Sequence, residues 1–88
     1  MAIFSGEILG RVPNGLTHND VFATVKSMVE EYSGGIESIS KRRLAGNMVS
    51  ITVRFAAVNE NQAKHILNLA YHSVFNFSAD VIGPREVK

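Results

Sequence analysis

Residues 36–55 read IESISKRRLAGNMVSITVRF, and the phasing of this stretch decides the fold. Its second half, Met48 to Phe55, alternates cleanly. Val49, Ile51, Val53 and Phe55 fall on one side of an extended chain, and Ser50, Thr52 and Arg54 on the other. β-Branched and aromatic residues on the apolar side suit a strand half-buried against a core. Ahead of it, Ala45-Gly46-Asn47 is a short run of turn formers, so Ile36 to Leu44 folds back as the hairpin partner. The out-of-phase pair Ile36 and Ile39 leaves the register of that partner open.

Helices flank the hairpin on both sides. Upstream, Thr17 is an N-cap with Asp20 three residues on, a variant of the capping box, and Leu16 and Val21 occupy the positions of a hydrophobic staple. Val21, Phe22, Val25, Met28, Val29 and Tyr32 then recur at helical spacing, and Gly34-Gly35 supplies the stop. Downstream, Asn59 is a cap with Gln62 at the matching position, and Ala63, Ile66, Leu67, Ala70 and Val74 mark a buried face.

The ends of the chain are strands. In Ala2 to Val12 the even positions Ala2, Phe4, Ile8 and Val12 are apolar, while Ser5, Glu7 and Arg11 lie opposite. Ile3 and Leu9 break the alternation, and Gly6 and Gly10 mark a bulge or close packing. Pro13-Asn14-Gly15 ends this strand. In the last one Phe75, Phe77, Ala79 and Val81 alternate with Asn76, Ser78 and Asp80, and Gly83-Pro84 closes it.

Strand–helix–strand–strand–helix–strand, with right-handed crossovers, puts both helices on one face of a four-stranded antiparallel sheet. The expected fold is therefore α+β and ferredoxin-like, βαββαβ, in one domain over residues 1–88 with 84–88 as a frayed tail. The other face of the sheet is left bare, polar and without aromatics.

Bulk composition agrees. Over 88 residues, 45% hydrophobic and 19% charged residues describe a globular chain rather than a disordered one. One modest core is all this length can close, so sheet-to-sheet or helix-to-helix dimerisation is a natural supplement. The formal charge of +1 gives no strong steering towards nucleic acid or anionic membrane. Without cysteine there is no disulfide, thiolate ligand or thiol nucleophile. No apolar run has the length of a bilayer span or the form of a signal segment, so a soluble cytoplasmic protein is expected.

Chemistry-bearing residues are sparse. His18 reads as an exposed first-turn residue of the first helix. His65 and His72 stand seven apart on the outer face of the second helix with Leu69 between them. Metal-binding pairs on a helix more often use a spacing of four, so these three residues read as a solvated face or a partner-contact patch centred on Leu69 rather than a metal site. Glu7, Arg54 and Asp80 are positioned to meet across the bare face, as a surface charge cluster. Lys41-Arg42-Arg43 is the densest charge and the candidate nucleic-acid or anion site. RNA binding on such a sheet needs aromatic platforms on the exposed central strands, where this chain has Ser50, Thr52 and Arg54, so nucleic acid is disfavoured. No catalytic set, metal site or cofactor motif is evident.

The segment Arg11-Val12-Pro13-Asn14-Gly15-Leu16, followed by Val21, Val25 and Val29 and then Gly35-Ile36-Glu37-Ser38-Ile39-Ser40, resembles the first half of an ACT domain, a ferredoxin-like regulatory module. The family joins Pro directly to Gly, whereas Asn14 stands between them here. The resemblance implies an amino-acid-type ligand at a dimer interface, contacted by Asn14, Gly15 and Leu16. The expected function is a non-enzymatic regulatory or interaction module that self-associates and takes a small metabolite. The alternative is an adaptor or inhibitor, of the kind phages encode, that masks a larger protein through the second-helix patch or the basic hairpin.

Overall fold

A computed structural model describes residues 1–75 and 79–88. The element order is β1 (Ala2–Arg11), α1 (His18–Tyr32), β2 (Ile36–Leu44), β3 (Met48–Ala57), α2 (Glu60–Val74) and β4 (Ala79–Glu86). All neighbouring strands pair antiparallel, in the order β2-β3-β1-β4. This is the ferredoxin-like α+β fold, with β3, the strand of cleanest alternation, and β1 at its centre.

The caps fall where the sequence places them. Thr17 Oγ1 accepts from the Asp20 N–H and Asp20 Oδ2 from the Thr17 N–H, closing the capping box of α1. Leu16 stays 44% exposed, so the apolar residue before the cap is only loosely seated. Asn59 caps α2 through the Gln62 N–H, while Gln62 Oε1 accepts from the Val58 N–H at 2.6 Å rather than from the cap itself. Gly35, at φ 126°, makes the turn out of α1 that an L side chain resists.

The core lies between the helices and one sheet face. Phe4 and Ile8 of β1, Val49, Ile51, Val53 and Phe55 of β3, Val21, Val25 and Val29 of α1, and Ala63, Ile66, Leu67 and Ala70 of α2 are all buried. Each such large side chain contributes about 1.5–3 kcal/mol of burial free energy. Gly6 resolves one of the two sequence puzzles in β1: a Cβ built there overlaps Leu67 Cδ1, so its bare backbone is the seat on which α2 packs.

Three expectations at the chain's end need correction. Phe75 is not the start of a strand; its N–H donates to the Tyr71 carbonyl and it caps α2 as a buried residue. Residues Asn76, Phe77 and Ser78 of the expected alternation lie outside the described residues. Gly83-Pro84 does not close the last strand, and 84–88 is not a tail. β4 pairs on through Ser5↔Arg85 and Phe4↔Glu86, with a register shift between Ser5 and Glu7, and the Val87 N–H donates to the Ile3 carbonyl at 2.8 Å. A bulge on an edge strand absorbs the glycine and proline without needing the missing N–H.

Candidate functional site

Both helices lie on the core side, so the side chains between the core positions make an open face on the sheet. Its layout follows from register alone. One row across the four strands is Ser38–Arg54–Ser5–Arg85, the next is Ser40–Thr52–Glu7–Ile82, and the third is Arg42–Ser50–Leu9–Asp80. Ala56 and Ile3 continue the pattern beyond the first row, and Leu44, Met48 and Arg11 beyond the third.

This face is less polar than expected. Ile3, Leu9, Leu44 and Met48 are half-buried on it, and Ile82 projects with 53% of its surface exposed. The residues that break the alternation of β1 are therefore the apolar part of the open face. No aromatic side chain lies on it among the described residues: Phe4 and Phe55 point into the core.

A hollow of about 340 Å³ lies over the β2–β3 half, lined by Glu7, Ser40, Lys41, Arg42, Ser50 and Thr52. Ser50 Oγ donates to Glu7 Oε2 at its floor, and Ser50 is the one polar residue of the described chain that is buried. A larger hollow of about 570 Å³ opens at the β4 bulge, among Ser5, Gly6, Glu7, Glu60, Ile82, Gly83, Pro84 and Arg85.

The charges do not meet as the sequence suggests. Arg54 pairs with Glu37 at 3.7 Å, both about half exposed, and Glu7 is engaged by Ser50, so Glu7, Arg54 and Asp80 form no common cluster. An exposed pair of this kind stabilises the fold little. Lys41, Arg42 and Arg43 are also separated. Arg42 shares a row with Ser50 on the open face, whereas Lys41 and Arg43 stand on the helix side, opposite Ile51 and Val49. Lys41 Nζ donates to Asn19 Oδ1 of α1 and lies 5.2 Å from the Phe22 ring centre. Consecutive residues of a strand alternate faces, so the run cannot act as one patch.

The other candidate residues stay apart from both hollows. Asn14, Gly15 and Leu16 are exposed on a tight turn, closed by Leu16 N–H to the Pro13 carbonyl at 3.1 Å, with Gly15 at φ 88°. His65 and His72 are exposed on α2, Leu69 between them is half-buried, and the His72 ring stands edge-on to Tyr71 at 4.6 Å. His18 is half-buried, not exposed, with Nε2 shielded from solvent and no hydrogen-bond partner among the described residues. No group of three or more His, Cys, Asp or Glu converges in metal-binding geometry among the described residues. None of their helices is long and apolar enough to cross a membrane.

No family model and no curated protein matches the chain. Among solved structures it is similar to one described as "Structural Genomics, protein YJCS", at 11% identity and a TM-score of 0.48, over 100% of this chain and 98% of that one.

Proposed function

We propose that the chain is a small non-catalytic interaction module of the regulatory kind, and that its working surface is the open face of the sheet. The supporting observation is one continuous face, left uncovered by the described residues, on which a hollow lies beside half-buried Leu9 and Met48 and projecting Ile82. Apolar side chains gathered on an uncovered face and rimmed by charge are characteristic of an association surface.

The metabolite-binding version rests on the ACT resemblance at Asn14, Gly15 and Leu16. Those residues line neither hollow, so the sheet face is the better-supported surface. Nucleic-acid binding stays disfavoured, because Lys41 and Arg43 stand on the side opposite Arg42 and the face offers no stacking platform among the described residues.

The absence of cysteine makes the test simple. Thr52→Cys places a single thiol at the centre of the open face, and Glu31→Cys places one on exposed α1. Alkylation rates are compared in the purified protein and in extract of its native host. Slow reaction of the Thr52 variant relative to the Glu31 variant, in either setting, supports an occupied face. Equally fast reaction of both thiols in both settings contradicts the proposal.

A further inference from the structure

Resting on that reading, we infer that the occupant of the open face is a second copy of this chain, stacked sheet-on-sheet about a two-fold axis that runs parallel to the strands. Such a rotation keeps each row in place and exchanges its ends: β2 of one copy lies over β4 of the other, and β3 over β1. The rows are built to fit this exchange in charge and in size.

Charge is matched across this axis. Arg42 and Asp80 occupy opposite ends of one row, three strand spacings or about 14 Å apart, too far to pair within a chain. The two-fold brings Arg42 of each copy over Asp80 of the other. One row group away the polarity is reversed: Glu37 reaches Arg54 at the β2 end, and Arg85 stands at the β4 end. The same rotation sets Glu37 near Arg85 of the second copy. Both exchanges are symmetric, giving four oppositely charged contacts. A two-fold perpendicular to the strands through the middle row also opposes Arg85 to Asp80, but it stacks Glu7 directly on Glu7 and Ile82 on Ile82 and brings Arg54 rather than Leu9 over Ser50.

Size separates the two axes. In three rows a small side chain of the β2–β3 half meets a large one of the β1–β4 half. Rotation lays Ile82 over Ser40, Leu9 over Ser50 and Ile3 over Ala56, while Arg54 lies over Ser5. The 340 Å³ hollow is floored by Ser40, Ser50 and Thr52, and Ile82 and Leu9 of the second copy are the side chains brought above it. Arg54 of the second copy also comes within one row of Glu7, which compensates the approach of the two Glu7 carboxylates near the axis.

Area is sufficient. Four strands at about 4.8 Å spacing and about nine residues of overlap make a face of roughly 20 by 30 Å, on the order of 600 Å² per copy. The total of roughly 1,200 Å² reaches the lower bound for specific interfaces, about 1,200 Å². A reversible dimer, rather than a permanent one, is the expected assembly.

Light scattering on the purified chain across a concentration series tests this. The expected mass rises to that of two chains. Arg42→Asp, which sets Asp over Asp at both symmetric contacts, weakens association by about tenfold or more. The double variant Arg42→Asp/Asp80→Arg restores it. Circular dichroism confirms that each variant is folded, since both positions are exposed. A wild-type chain that stays monomeric, or a dimer indifferent to Arg42→Asp, overturns the inference. The Thr52 thiol separates the two levels of failure. If the purified protein is monomeric but the thiol is shielded in host extract, the face serves a different protein and only the second-copy inference fails. If the thiol is open in both settings, the interaction-module reading fails with it.

Discussion

The two faces of this sheet are made by alternate residues of the same strands, yet they obey different rules. On the helix side, Phe4, Ile8, Val53 and Phe55 are closed off from solvent and packed by α1 and α2. On the open side, Ser5, Glu7, Thr52 and Arg54 sit one residue away with no described element above them. The helix side is specified by volume: Gly6 has no side chain because Leu67 occupies the space one would take. The open side carries a pattern along its rows instead, with Ser40 and Ile82 at the ends of one and Arg42 and Asp80 at the ends of the next. Packing fixes the fold on one face, and the leftover pattern on the other is free to describe a partner.

Substitutions on the two faces should therefore separate cleanly. The largest effect is expected at Phe55→Ala, which empties a fully buried site in the central strand and should cost about 3–5 kcal/mol in urea unfolding. A loss below roughly 1 kcal/mol would mean that the helix face is not the main core. Gly6→Val forces a side chain into the Leu67 seat and should cost about 1–3 kcal/mol. Leu67→Ala added to it should cost less than the sum of the two single changes, a non-additivity that a double-mutant cycle measures. Thr17→Ala removes the reciprocal cap of α1 and should lower stability by about 1 kcal/mol, visible as a shift in the urea midpoint without a change in slope. The smallest effect belongs to Arg54→Ala, the strand neighbour of Phe55. Losing its half-exposed pair with Glu37 should change monomer stability by about 0–1 kcal/mol, and a larger change at low protein concentration would show that the open face carries folding energy of its own.

How far the sequence foretold this depends on the kind of signal each element carries. β3 was legible because a period of two ran through it unbroken, and α1 because cap, apolar stripe and glycine stop agreed. β4 was misread at both ends. The apolar character of Phe75 suits strand and helix cap alike, and Gly83-Pro84 resembles a terminator because a bulge on an edge strand has no local sequence mark. Lys41-Arg42-Arg43 looked like one site because adjacency in sequence hides alternation in space. The open face was the least legible feature. Ile3, Leu9, Leu44, Met48 and Ile82 come from four different strands, and each alone looks like noise in its own alternation. Only the inter-strand register gathers them, and register is what a single strand's pattern does not contain.

Whether two copies meet through rows whose ends exchange is tested by mixing two variants that are each repelled from themselves. Arg42→Asp alone sets Asp against Asp at the two symmetric contacts, and Asp80→Arg alone sets Arg against Arg. Combined in equal amounts, the two chains present Asp to Arg at one contact and Arg to Asp at the other. Sedimentation of the mixture should show a heterodimer at concentrations where each variant alone is monomeric. Two variants that remain monomeric when mixed, while the wild-type chain dimerises, would contradict the strand-parallel two-fold.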